Sequence, residues 1–169
     1  MILQESYTVL LTVFRFYTEN CLFTVMHIAQ PGRESMNRKL IKNGLIAAAL
    51  INIGGVLVFS RAFTNVSINN ADPVVMSNFG LLMIIVWGLA YLGAAAISSH
   101  IKWLVGAFAV EKLVYFVVWV MWLSKNSLAP LYSTDILTGV FYSIYGLNDL
   151  AFMLFFAWVF LSQRPEGQA

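Results

Sequence analysis

Four stretches of mostly apolar residues, each long enough to cross a hydrocarbon layer about 30 Å thick, dominate this chain. They run near 43–60, 75–98, 101–123 and 137–161. Backbone polar groups inside hydrocarbon have no water to bond, so each stretch must satisfy itself as a helix. The segments SRAFTNVSINNADP and SKNSLAPLYSTD between them are rich in turn formers and read as loops. Only a few residues around Ser99 and His100 separate the second and third spans, which predicts a tight antiparallel hairpin. Charged residues make up 11% of the chain and apolar ones 60%. An ordinary soluble domain carries about a quarter charged residues, so a water-soluble fold has too little polar surface here. The expectation is an all-α integral membrane four-helix bundle in contact with the lipid bilayer.

Composition excludes other classes. A disordered chain, a nucleic-acid binder and a disulfide-stapled scaffold do not fit. The single cysteine, Cys21, forms neither an internal disulfide nor a dithiol pair. His27 and His100 are too few and too far apart to suggest a haem or metal site, so no cofactor or metal is implied. Lys and Arg near helix ends set orientation. Arg33, Arg38, Lys39, Lys42, Lys102 and Arg164 fall on one side, against Arg61 and Lys125 on the other. The richer side is the cytoplasmic one by this rule, which places both termini there. Asn65-Val66-Ser67 matches a glycosylation sequon, a triplet too common by chance to carry weight.

Residues 1–35 are an N-terminal extension of different character. Their apolar runs YTVLLTVF and CLFTVMHIA are broken by Arg15, Glu19 and Asn20. This makes a poor span and, with Glu5 and no basic residue at its start, a poor signal peptide. Met36 is followed by Arg38, Lys39 and Lys42 and then the first span, the usual opening of a small bacterial membrane protein. Two expectations stay open: a native start at Met36, or an interfacial helix that turns Arg15 and Glu19 to water. Residues 36–169 form a single transmembrane domain under either.

Polar groups recur at one depth in these spans. The third span is centred on Glu111 and Lys112, the fourth on Asn148 and Asp149, and the first near Asn52. A charged residue at a helix centre costs about 2.5–3.5 kcal/mol on the insertion scale. Glu111 and Lys112 together therefore cost about 5–7 kcal/mol, and the Leu, Ile, Val and Phe residues of that span return about 4–7 kcal/mol. The helix is near break-even and its charges need partners. Adjacent residues point about 100° apart, so Glu111 and Lys112 are poorly placed to pair with each other. Lys112–Asp149 is the simplest pair. Glu111 is then left to hold a proton or to bond Asn52 or a tyrosine. Tyr115 shares its face at i+4, Tyr142 and Tyr145 line one side of the fourth helix with Asp149, and Tyr91 and Trp87 of the second helix complete a ring. Two carboxylates face one lysine, so the cluster is expected to hold a labile proton.

Small residues (Gly44, Ala48, Gly55, Gly88 and Ala95) read as sites of close helix approach. Trp103, Trp122 and Trp158 lie toward span ends, where indole favours the membrane interface. His100 reads as a solvated turn residue.

The runs DPVVMSNFGLLMIIVWGLAYLGAA, AVEKLVYFVVWVMWL and GVFYSIYGLNDLAFMLFF, over roughly 72–160, resemble the BphX-like small bacterial membrane proteins. The resemblance implies four spanning helices and a bacterial inner membrane, and supplies no catalytic residues. Small multidrug exporters are also short four-helix proteins with an embedded glutamate. Theirs lies in the first helix, whereas here it lies in the third.

Three functions fit these observations. The first is a binding or transport module that holds a small apolar or aromatic molecule. Its candidate site comprises Asn52, Tyr91, Glu111, Lys112, Tyr115, Trp119, Tyr142, Tyr145, Asn148 and Asp149. The second is a structural or accessory subunit, whose buried polar groups act only as glue between helices. The third is a small intramembrane enzyme that uses Glu111 as acid or base, with no nucleophile–base spacing or phosphate loop in its favour. A second copy of the chain or another membrane protein remains open as a partner. Initiation at Met36 predicts that the intact mass of natively expressed protein lacks residues 1–35; the mass of all 169 residues would refute it.

Overall fold

The computed structural model describes residues 38–97 and 101–163. The candidate interfacial helix, Met36, His100 and Arg164 lie outside them. Among the described residues there is no strand, and six helices follow one another: α1 (Arg38–Phe59), α2 (Val66–Ala71), α3 (Asn78–Ala96), α4 (Lys102–Leu123), α5 (Ala129–Thr134) and α6 (Ile136–Ser162). The four long ones are long and apolar enough to cross a membrane. Two segments read as plain loops each contain a six-residue helix, α2 and α5, which together cap one end of the bundle.

Local chemistry sets the helix starts. The side chains of Asn65, Ser77 and Asp135 each accept a hydrogen bond from a backbone N–H of the first turn they precede, at 3.2, 3.1 and 3.0 Å. The end of α1 is less ordinary. Arg61, Ala62 and Phe63 all have positive φ, at 49°, 53° and 70°. Left-handed backbone costs about 1–2 kcal/mol per residue without glycine. Ser60 offsets the cost: its carbonyl accepts from Thr64 and Asn65, and its Oγ accepts from the Phe63 N–H.

The long helices associate as two pairs, α1 with α3 and α4 with α6. Gly88 of α3 lies against Ile53 and Ala49 of α1, and Gly146 of α6 lies under the Trp119 ring of α4, where a Cβ would collide with the indole. Gly44 brings α1 to Phe155 of α6 and so joins the two pairs. Gly55, in contrast, faces open space. The expected tight hairpin of second and third spans is not a close backbone packing. Large side chains hold α3 and α4 apart: Tyr91 and Trp87 meet Phe108 edge-on, with centroids 4.7 and 6.2 Å away.

Two separate apolar cores result. One, near the start of α1, contains Leu45, Ala49, Tyr91, Phe108 and Phe156. The other, at the capped end, contains Val56, Ile68, Leu81, Trp119, Trp122 and Tyr142. Outside the cores the helices remain apolar: Leu50, Val58, Phe79, Leu89, Val110, Ile144 and Leu147 are all exposed. Such a surface suits hydrocarbon better than water. Trp103 is 79% exposed. Trp122 is instead buried, and its indole N–H donates to the Ala71 carbonyl at 2.9 Å, so it pins the cap.

The side chain of Asn65, the sequon residue, is engaged in the fold. It is 4% exposed, and its Nδ2 donates to the Phe59 carbonyl, Asp135 Oδ2 and Thr138 Oγ1. Asp135 in turn accepts from Arg61 Nη2 at 2.6 Å. The Thr138 and Asn65 hydrogen bonds, with a smaller contribution from Arg61, lower the Asp135 carboxyl from its ordinary 3.8 to about 2. A depressed carboxylate stabilises the fold fully above its unfolded value and loses that effect as pH falls through the folded one. Asp135→Asn is therefore expected to lower Tm by about 2–4 °C at pH 6. The gap to wild type should close between about pH 4 and pH 2, and a pH-independent gap in thermal melts would refute this account.

Candidate functional site

The polar residues near the centres of α1, α4 and α6 converge at the waist between the two cores. On every long helix, residues of one core lie on one side of this level and residues of the other core on the opposite side. Lys112 is the hub. Its side chain is 2% exposed and its Nζ donates to Asp149 Oδ1 at 2.6 Å and to Asn52 Oδ1 at 3.0 Å. Asn52 spends its own Nδ2 on the Ile84 carbonyl of α3, 3.2 Å away. One lysine thus ties α4 directly to α6 and α1 and, through Asn52, to α3.

Glu111 sits on the other side of the hub. Its Oε2 accepts a hydrogen bond from the Tyr91 hydroxyl, and its Oε1 lies 3.9 Å from Lys112 Nζ, beyond hydrogen-bond range. Oε1 is buried and has no hydrogen-bond partner. The sequence geometry left a choice of Asn52 or a tyrosine for Glu111; Tyr91 takes it and Asn52 goes to Lys112. Fully ionised, the cluster holds two carboxylates and one ammonium, a net charge of −1, and one added proton makes it neutral. Charge left unbalanced in a low-dielectric waist is costly, and a proton on one carboxylate relieves it.

The remaining candidate residues fall elsewhere. Tyr115 is half-buried one turn along α4 from Glu111 and makes none of the cluster's hydrogen bonds. Asn148 is half-buried and also takes no part in them. Trp119, Tyr142 and Tyr145 belong to the capped-end core, not to the immediate surroundings of the charges. Their rings fill space against one another, and two of the three bond the main chain: Trp119 Nε1 donates to the Tyr142 carbonyl at 2.7 Å and Tyr142 Oη to the Ile68 carbonyl at 3.1 Å. Tyr145 Oη is buried without a partner. Trp87 reaches the other core through Phe108.

The polar set at the capped end, Arg61, Asn65, Asp135 and Thr138, has no counterpart among the sequence-derived candidates. The spacing of Asp135 to Thr138 before an apolar run is a helix-start signal that marks half of it. Among the described residues no three His, Cys, Asp or Glu side chains gather as a metal site would require.

A comparison with protein-family models, curated proteins and solved structures yields no match to this chain.

Removal of one partner from a buried ion pair leaves the other charge stranded, at a cost of about 3–5 kcal/mol. Lys112→Met is therefore expected to destabilise the folded protein by that order in denaturing-detergent titrations. Lys112→Met combined with Asp149→Asn should recover part of the loss, because the Asp149 charge is then no longer stranded and only Glu111 keeps one. Equal destabilisation in the single and double variants would show that the pair is not formed.

Proposed function

We propose that this chain is a polytopic membrane protein that binds or moves a small apolar or aromatic molecule at its mid-length ionisable cluster. The observation that carries the reading is Glu111 Oε1: a buried carboxylate oxygen with no donor, in a cluster one negative charge in excess. Ionisable groups at the centre of apolar helices are expensive, and membrane proteins keep them where something binds or passes. In this reading the working set is Glu111, Lys112 and Asp149 with their hydrogen-bond partners Tyr91 and Asn52. The aromatic core of Trp119, Tyr142 and Tyr145 serves as the wall toward the capped end.

Four apolar helices with apolar outer faces support insertion in a bilayer. The Lys and Arg distribution favours both termini in the cytoplasm. Placement in a bacterial inner membrane, and kinship with the BphX-like proteins, rest on the sequence resemblance alone.

One observation favours a second reading. The Lys112 network reaches all four long helices, as interhelical glue would. Mass spectrometry of small molecules that co-purify in native lipid separates the two. A molecule enriched with wild type and lost from folded Glu111→Gln and Asp149→Asn supports binding. If nothing is enriched and the variants only melt earlier, the cluster is glue.

A further inference from the structure

The two carboxylate oxygens of Glu111 have different surroundings. Oε2 accepts the Tyr91 phenol, while Oε1 is buried without a partner on a side chain only 4% exposed. An unpaired buried acceptor is costly, and a donor supplied to it recovers that cost. The donor's charge is constrained by Lys112, whose ammonium stands 3.9 Å from Oε1. A cationic donor on Oε1 would have to share the Glu111 charge with that ammonium. A neutral O–H donor meets no such competition. Tyr91 already displays the fit of a phenol to this carboxylate.

The body of the donor is constrained by what flanks Glu111. The Tyr91 ring meets Phe108 edge-on at 4.7 Å and lies 5.3 Å from Phe156, a tilted aromatic set that a further ring can extend. The way in follows from the packing. α3 and α4 are joined by side chains and not by close backbone approach, and the Tyr91–Glu111 bond is the polar tie between them. Val110 and Val114, next to Glu111 on α4, are exposed.

We propose that Glu111 takes up a neutral aromatic alcohol, a phenol above all, which enters from the hydrocarbon between α3 and α4 and donates its hydroxyl to Oε1. This rests on the binding function above and adds the class of ligand and its route.

The test uses the full chain in lipid nanodiscs and three probes of one shape: 1-naphthol, 1-methylnaphthalene and 1-naphthylmethylammonium. The signal is saturable binding above that of empty nanodiscs. Wild type is expected to bind 1-naphthol in preference to both other probes. Glu111→Gln should weaken 1-naphthol about tenfold, the effect of roughly one hydrogen bond. Tyr91 donates to the other oxygen, Oε2, so Tyr91→Phe should leave the preference for 1-naphthol over the other two probes in place. Binding of 1-naphthol that ignores Glu111→Gln, or an ammonium probe that displaces 1-naphthol, would overturn the proposal. The probe ranking on wild type decides the matter even where a variant fails to fold. A native ligand that depends on Glu111 yet lacks a hydroxyl would remove the ligand class and leave the binding function standing. Absence of any Glu111-dependent molecule would remove both.

Discussion

The Lys112 ammonium and its two oxygen partners govern the rest of this structure. A lysine at the centre of an apolar helix cannot reach water along its own stem. It must be met by acceptors from neighbouring helices, and Asp149 and Asn52 meet it at 2.6 and 3.0 Å. Because the bonds are short and directional, they set the rotation of α1, α4 and α6 about their axes and the level at which they cross. Apolar contacts alone would leave both loosely specified, because they are not directional. A polar waist between two apolar cores therefore acts as the register mark for both.

The same waist is where structure and function meet. Two carboxylates and one ammonium do not balance, and the imbalance is local to Glu111, because Asp149 holds the lysine more closely. Glu111 is also the residue that joins the two helix pairs across their weaker seam, through Tyr91. A group that occupies or protonates Glu111 thereby acts on the contact between α3 and α4. At the capped end the arrangement is the opposite: Asn65, Asp135 and Thr138 satisfy one another, and Trp122 and Tyr142 fasten the Ile68–Ala71 region. That end is built as a stopper, with its strained turn at Arg61–Phe63 held by Ser60.

Much of this was legible in the residues themselves. Four long apolar stretches define the helices, and the depth shared by Asn52, Glu111, Lys112 and Asp149 follows from counting inward from their ends. The Lys112–Asp149 pair follows from the 100° step between neighbours on a helix. What helical spacing cannot supply is the rotation of one helix against another. Hence Tyr115, on the same face as Glu111, reads as no worse a partner than Tyr91, and spacing offers Asn52 to Glu111 when it in fact serves Lys112. Tyr142 and Tyr145 share a side of α6 with Asp149, yet a shared side does not separate a ring that lines a site from one that fills a core. α2 and α5 were hidden because their Asn, Ser and Pro content is as typical of capped short helices as of loops. Trp122 sits where an interface anchor would, and only the position of the Ala71 carbonyl reveals its other use.

The central claim is that Lys112 and Asp149 pair directly at the centre of the bundle and so lock it. Solid-state NMR on the protein in lipid bilayers can measure the distance from the Lys112 side-chain nitrogen to the Asp149 carboxyl carbon. The account requires about 3.5 Å, the separation of a direct charge-assisted hydrogen bond, with the ammonium protons shielded from exchange with solvent. A longer separation, or an ammonium that exchanges freely, would contradict it.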